Sequence, residues 1–251
     1  MKVGVLIPST SKGRDWDTVK DTYLYNYTLK TFVLTYDREH EYVFYIGIDK
    51  ADRIYDNATV KQYLEKMMSL MKNTRIEFIY MDGIEKGHLT VMWNRLFEKA
   101  FNDGCDYFFQ CGDDIEFETR GWVNECIRVL DSSKGVGMTG PMNNNNRILT
   151  QSFVSRRHME LFGHYFPAEI INWCCDDWIN NVYKYIGHFH PLSHHYCNNI
   201  GGKPRYDVNN DPIFLTHKFA ERLERLRKET ERISERSVAK AQEKLNQIMS
   251  E

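Results

Sequence analysis

The sequence predicts an α/β fold: a mostly parallel central sheet flanked by helices, with one long C-terminal helix. Three observations predict it. Apolar runs of strand length alternate with helix-period segments over the first ~115 residues. Each run ends in polar or Gly-containing residues, as successive βαβ units do. From Thr216 to Glu251 there is no Gly and no Pro, and charges of both signs alternate. The expected organisation is one domain over residues 1–213 and a charged helix over 214–251.

The elements follow in order. Val3 to Ile7 is an apolar strand, closed by the loop Pro8-Ser9-Thr10-Ser11-Lys12-Gly13. Trp16 to Tyr36 carries Val19, Tyr23, Tyr27 and Leu34 at helical spacing. Tyr42 to Ile48 is a second buried strand, ending at Asp49. Ala58 to Met71 is a helix, Arg75 to Tyr80 a strand, and His88 to Asn102 a helix after the Asp82-Gly83 turn. Tyr107 to Cys111 is a short strand running into Gly112-Asp113-Asp114. Beyond it come a helix over Gly121 to Leu130, a strand over Gly135 to Thr139 and a loop containing four consecutive Asn. A strand over Thr150 to Val154, a short helix over Arg157 to Phe162 and a helix over Trp173 to Tyr185 complete the regular part. Gly187 to Asp211 shows no period and is expected to be irregular.

Composition narrows the function. With 42% hydrophobic and 27% charged residues, the 251-residue chain sits near the globular average, which excludes wholesale disorder and collagen-like repetition. Its 33 basic and 35 acidic residues give a net charge of -2, so no global field favours a polyanion and no nucleic-acid partner is expected. The apolar run at the N-terminus is far too short for a signal h-region or a ~20-residue membrane span. Six Cys lack the density of a disulfide scaffold, so reduced thiols and a cytoplasmic location are expected.

Apolar or small residues in the C-terminal helix recur at 219, 223, 226, 230, 233, 237, 241, 245 and 248, a heptad that slips after Ile233. At ~1.5 Å per residue such a helix extends ~54 Å. A helix this polar is stable only with a partner or by lying on the domain, so a coiled-coil homo-oligomer through this seam is expected, the alternative being a frayed, solvated tail.

In sheets of this kind ligands bind beyond the carboxyl ends of the strands, where Ser9-Thr10, Asp49, Asp82 and Asp113-Asp114 fall. Adjacent Asp113 and Asp114 suit a hard cation, Mg²⁺ or Mn²⁺, that leaves positions open for substrate phosphates. Asp176 and Asp177 open a helix, where a carboxylate is stabilised and its pKa lowered by the helix N-terminus. By itself the pair reads as an N-cap and first-turn Asp. Trp173 and Trp178 flank the pair, and indole rings suit the stacking of sugars or bases. His188, His190, His194 and His195 with Cys197 lack the paired spacing of a structural zinc site.

These segments together resemble the GT-A-type nucleotide-sugar glycosyltransferases. The likeness spans roughly residues 1 to 210 and rests on Ile7-Pro8-Ser9-Thr10, Ile48-Asp49, Gly87-His88-Leu89-Thr90-Val91-Met92-Trp93-Asn94, the strand into the acidic motif, and Trp173-Cys-Cys-Asp-Asp-Trp178. It implies a GT-A (Rossmann-like) fold and a metal-dependent transfer of a sugar from a nucleotide diphosphate sugar, preferably UDP-linked, to a glycan or other hydroxyl acceptor. It implies that Pro8, Thr10, Arg14, Asp49 and Asp113 line the nucleotide, with Gly87 and Asn94 nearby. Asp113, Asp114 and a late His, here His195, would hold the metal, and Asp177, in preference to Asp176, would be the base. Lys203 and Arg205 in Gly201-Gly202-Lys203-Pro204-Arg205 would meet the diphosphate, and this segment also resembles one found in retaining transferases, which leaves the stereochemistry open. The usual Asp-x-Asp motif has its first Asp where this chain has Gly112, so either Asp113-Asp114 does both tasks or metal binding is altered. Two other readings stay open: a nucleotidyltransferase, against which stands the lack of a Gly-rich, Lys-bearing loop after the first strand, and a non-catalytic nucleotide- or glycan-binding assembly module.

Overall fold

The computed structural model describes residues 1–145, 147–201 and 218–250. Among them β1 (Lys2–Pro8), β2 (Glu41–Ile48), β3 (Thr74–Tyr80), β4 (Tyr107–Gln110), β5 (Ile115–Phe117), β6 (Met138–Met142), β7 (Ser152–Ser155) and β8 (Phe189–Asn199) form one sheet in the order β3-β2-β1-β4-β7-β6-β8-β5. Strands β3, β2, β1 and β4 are mutually parallel, and β7 turns against both β4 and β6. β6 and β8 run parallel, and β5 pairs antiparallel with β8 at the edge. The apolar runs of β1, β2 and β4 are buried along almost their whole length, as parallel strands covered on both faces must be.

Helices α1 (Lys30–Thr35), α2 (Ala58–Met68), α3 (Leu89–Asn102), α4 (Trp122–Asp131), α5 (Arg157–Phe162), α6 (Cys175–Tyr185) and α7 (Lys218–Ser250) cover the two faces. On one face Phe32 meets Phe44 edge-on at 4.8 Å and Phe117 at 5.6 Å, with Trp122 stacked on Phe117. On the other, Phe97 packs edge-on against Phe108 at 4.6 Å and Tyr165 at 5.0 Å.

Three elements differ from the sequence reading. The first helix begins at Val19 rather than Trp16, because Thr18 and Asp21 form a capping box that fixes the start. That opening is a single 3-10 turn, Val19–Asp21, closed by an extended Thr22, and a separate helical run starts with a π-helical turn, Leu24–Leu29, before α1. The stretch expected to be irregular contains an 11-residue strand, β8, whose Leu192 and Cys197 face the core while most other positions are open. Pairing with β6 and β5 makes it a strand, not its own pattern. Strand β5 is likewise set by context: the Ile115 and Phe117 amides donate to the hydroxyls of Thr28 (3.1 Å) and Thr31 (2.9 Å), which occupy its free edge.

The long helix lies on the domain. Thr230, Ile233, Ala241, Leu245 and Ile248 of its stripe are buried, and α7 packs along α6 and α5. From Thr230 onward the seam that would have built a coiled coil is therefore consumed within the chain. No described helix is long and apolar enough to cross a membrane.

Candidate functional site

The four parallel strands deliver their carboxyl ends to one edge, and the loops 9–14, 49–56, 81–88 and 111–114 meet there. The Ser9 hydroxyl donates to Asp113 at 2.6 Å, tying the β1 loop to the β4 loop. Thr10 Oγ1 lies 3.0 Å from Asp49 Oδ2 and 3.1 Å from Asp52 Oδ2, and Lys12 Nζ approaches Asp49 at 3.2 Å. Asp52 organises this corner. Burial pushes its pKa up, yet hydrogen bonds from the Tyr55, Ser11 and Ile54 amides and the Ser11 hydroxyl outweigh that and hold it below the usual carboxylate range. Arg14 sits over the Tyr23 ring, its Cζ 4.7 Å from the centroid, and near Trp16. Pro8 ends β1 opposite Gly47.

The acidic motif divides. Asp113 points inward to Ser9 and is buried. Asp114 keeps a partly exposed side chain, and its carbonyl accepts from Ile200 N at 2.9 Å. Its carboxylate lies between two glycines: a Cβ on Gly112 would come 2.5 Å from Oδ1, and one on Gly201 1.6 Å from Oδ2 and 2.5 Å from Cγ. The carboxylate of Asp114 thus fills the space beside Gly112, the position at which the usual motif has Asp. His195 does not join this group. It contacts Thr119 Oγ1 at 3.3 Å, beyond the Phe117–Cys197 pairing, while Asp114 precedes the opposite end of β5, where Ile115 pairs with Asn199. The antiparallel register separates the two along the strand, which corrects the metal trio expected from sequence. Among the described residues no three His, Cys, Asp or Glu side chains gather around a common metal position.

The second acidic pair opens α6, after Cys174 in left-handed conformation (φ 69°) turns the chain into the helix. Asn172 ties this turn to the β3–α3 loop, its Nδ2 donating to the Gly87 carbonyl at 3.0 Å. Arg147 forks onto Asp177, Nη1 to Oδ1 and Nη2 to Oδ2 at 3.1 Å. Asn180 pins the same strap: its Oδ1 accepts from Leu149 N at 3.1 Å and its Nδ2 donates to Leu149 O at 2.8 Å. Asp176 has a different environment. Its donor among the described residues is the Cys175 thiol, Sγ to Oδ1 3.8 Å. Burial first, and the neighbouring Asp177 charge second, push its pKa up to about 7. The net shift is upward, where the sequence led us to expect a lowering.

Two further expectations change role. Trp178 is fully buried and donates to Ser237 of α7 at 3.2 Å, so it anchors helix to helix and presents no stacking face. Asn94 spends its side chain on a backbone clamp, donating to Phe166 O (2.8 Å) and accepting from Tyr165 N and Phe166 N. Trp173 remains partly exposed at the rim, edge-on to Phe219 at 5.4 Å. Lys203 and Arg205 lie outside the described residues. The sequence reading missed Asp52, whose two amide contacts two and three residues on are an Asx-turn signature, and Arg147, which no local pattern distinguishes.

No family model and no curated protein matches the chain. Its architecture is similar to that of S. aureus TarS. The crystal structure of TarS 1-349 in complex with UDP-GlcNAc aligns at 14% identity and TM-score 0.55, over 95% of this chain and 71% of that one. The complex of the same fragment with UDP aligns at 13% identity and TM-score 0.53, over 95% and 70%. A longer TarS structure aligns at 14% identity and TM-score 0.51 over 78% of this chain, which spans 36% of it. The shared fold is of the GT-A type that the motifs resemble.

Proposed function

We propose that this chain is a glycosyltransferase that moves a sugar from a nucleotide diphosphate sugar, UDP-linked in preference, to an acceptor hydroxyl. One observation carries the reading: the hydroxyl–carboxylate loops at Thr10–Asp49 and Ser9–Asp113 share the carboxyl edge of the sheet with the acidic start of α6, bridged by Asn172 to Gly87. The similarity in fold to a TarS fragment bound to UDP-GlcNAc supports it. Thr10, Arg14 and Asp49 hold the base and ribose, Asp114 faces the diphosphate, and Trp173 offers the acceptor a partly exposed ring. A Mn²⁺ or Mg²⁺ ion held by Asp114 and the diphosphate oxygens would neutralise charge on the leaving group. Catalysis otherwise needs only positioning and a base. Six unpaired cysteines, all buried, fit a reducing, cytoplasmic setting.

The test is release of nucleoside diphosphate from UDP-, GDP- and other nucleotide sugars with Mn²⁺, for the wild type and Asp49→Ala. The account expects release from one donor class and a raised KM in the variant. Nucleotide binding without release from any donor would favour the binding-module reading instead.

A further inference from the structure

We propose that Arg147 is a positioning residue: by taking both oxygens of Asp177 it fixes the start of α6 and leaves Asp176 as the catalytic base that receives the acceptor proton. The inference rests on the transferase reading above and assigns the work within its acidic pair.

The geometry separates the two carboxylates. Asp177 is 13% exposed and both its oxygens are engaged by one guanidinium, a fork that fixes the carboxylate's orientation and occupies one lone pair on each oxygen. Asp176 receives no N–H or O–H donor from the described residues, only the Cys175 thiol, and its side chain is partly accessible. A carboxylate in that state is free to take a proton, and its raised pKa, about 7, suits a base working near neutrality. The strap that delivers Arg147 is built for the purpose: Asn145 Oδ1 accepts from Arg147 N at 3.0 Å and Ile148 N at 3.3 Å, and Asn180 holds Leu149 at both backbone atoms. The Asn-rich loop is thereby a scaffold for one arginine.

In the transfer step the acceptor O–H proton passes to an Asp176 oxygen. The acceptor oxygen bonds to the anomeric carbon, and the bond from that carbon to the diphosphate breaks, its electron pair leaving with the nucleoside diphosphate. The groups facing Asp176 are Asp177, Cys174 and Cys175 on its own helix, Arg147 on the strap and Tyr165 beyond α5, with Arg227 of α7 facing Cys174.

Asp177 raises the Asp176 pKa and Arg147 lowers it, so the two substitutions act in opposite directions. The experiment is a carboxyl-carbon NMR titration of Asp176 in the full chain, with kcat against pH for UDP-sugar turnover. Asp177→Asn should move the Asp176 midpoint and the acid limb to lower pH and keep turnover within about tenfold of wild type. Arg147→Gln should move both to higher pH, and Arg147→Lys should restore the position. Asp176→Asn should cost ~10²–10⁴-fold in kcat with nucleotide binding intact. The Arg147→Gln, Asp177→Asn double variant should lose no more turnover than the worse single one. An unmoved Asp176 midpoint in Arg147→Gln overturns the positioning role whether or not the chain turns over. Loss of transfer in Asp177→Asn with transfer retained in Asp176→Asn overturns the base assignment. A wild type that turns over no nucleotide sugar removes the transferase reading, while the titration still decides the Arg147 contact.

Discussion

The Ser9 hydroxyl donates to the Asp113 carboxylate across 2.6 Å, and this one contact joins the ends of β1 and β4 at the edge where the ligand is expected. Because Asp113 is 1% exposed, the bond is made away from water and belongs to the stronger, charge-assisted kind. Ser9→Ala should cost ~1.5–3 kcal/mol of stability in urea denaturation and weaken nucleotide binding in parallel. Unchanged binding would mean that the two loops hold their shape without it.

Gly201→Ala places a methyl group inside the volume of the Asp114 carboxylate. The side chain must swing away, so the gain in thermal stability that Mn²⁺ adds to UDP should fall to the level seen with EDTA, while the ligand-free melting temperature changes little. A retained metal-dependent gain would remove Asp114 from the cation.

Leu245→Ala should destabilise the whole domain by ~2–5 kcal/mol, since α7 is part of the core. The loss should be independent of protein concentration. A melting temperature that rises with concentration would instead indicate that α7 pairs between chains.

Two groups whose pKa values are shifted by desolvation set opposing pH dependences. His158 is locked neutral, Nε2 donating to Tyr165 O at 3.0 Å and Nδ1 accepting from Tyr183 OH at 2.8 Å. Burial first lowers its pKa from 6.5 to about 3. The unfolded chain then binds the extra proton, so stability is full above pH 6.5 and falls as pH drops from 6.5 toward 3. Asp176, raised from 3.8 to about 7, acts the other way: its contribution is full below pH 3.8 and is lost as pH rises toward 7. Asp176→Asn should therefore melt higher than wild type at pH 8, and His158→Gln should flatten the loss between pH 6 and 4. Chemical denaturation across pH checks both. A lower melting temperature for Asp176→Asn at pH 8 would contradict the desolvation of that charge.

The parallel half of the fold was legible because β1, β2 and β4 are apolar throughout, and burial on both faces writes itself into the residues. Strand β8 was not, since Phe189 to Asn199 alternates poorly and takes its form from β6 and β5. The site followed the same division. Asp49, Asp113, Asp114 and Asp176 sit at element ends, which periodicity locates. Trp178 was misread although the inward positions 175, 178, 179 and 182 of α6 mark it as core. His195 could not be separated from Asp114 without the β5–β8 register, and Arg147 reaches Asp177 across 30 residues that share no local pattern.

The central claim is that the carboxyl edge binds a nucleotide diphosphate sugar, and thermal shift tests it most directly. UDP, GDP, CMP and their sugar conjugates would each be tried with Mn²⁺, Mg²⁺ or EDTA. A ligand at ~100 times its dissociation constant adds ~2.7 kcal/mol to the native state. The account predicts a shift with UDP or UDP-sugars that is larger with metal and is lost in Asp49→Ala. No shift with any nucleotide would contradict the donor site at Thr10, Asp49 and Asp114.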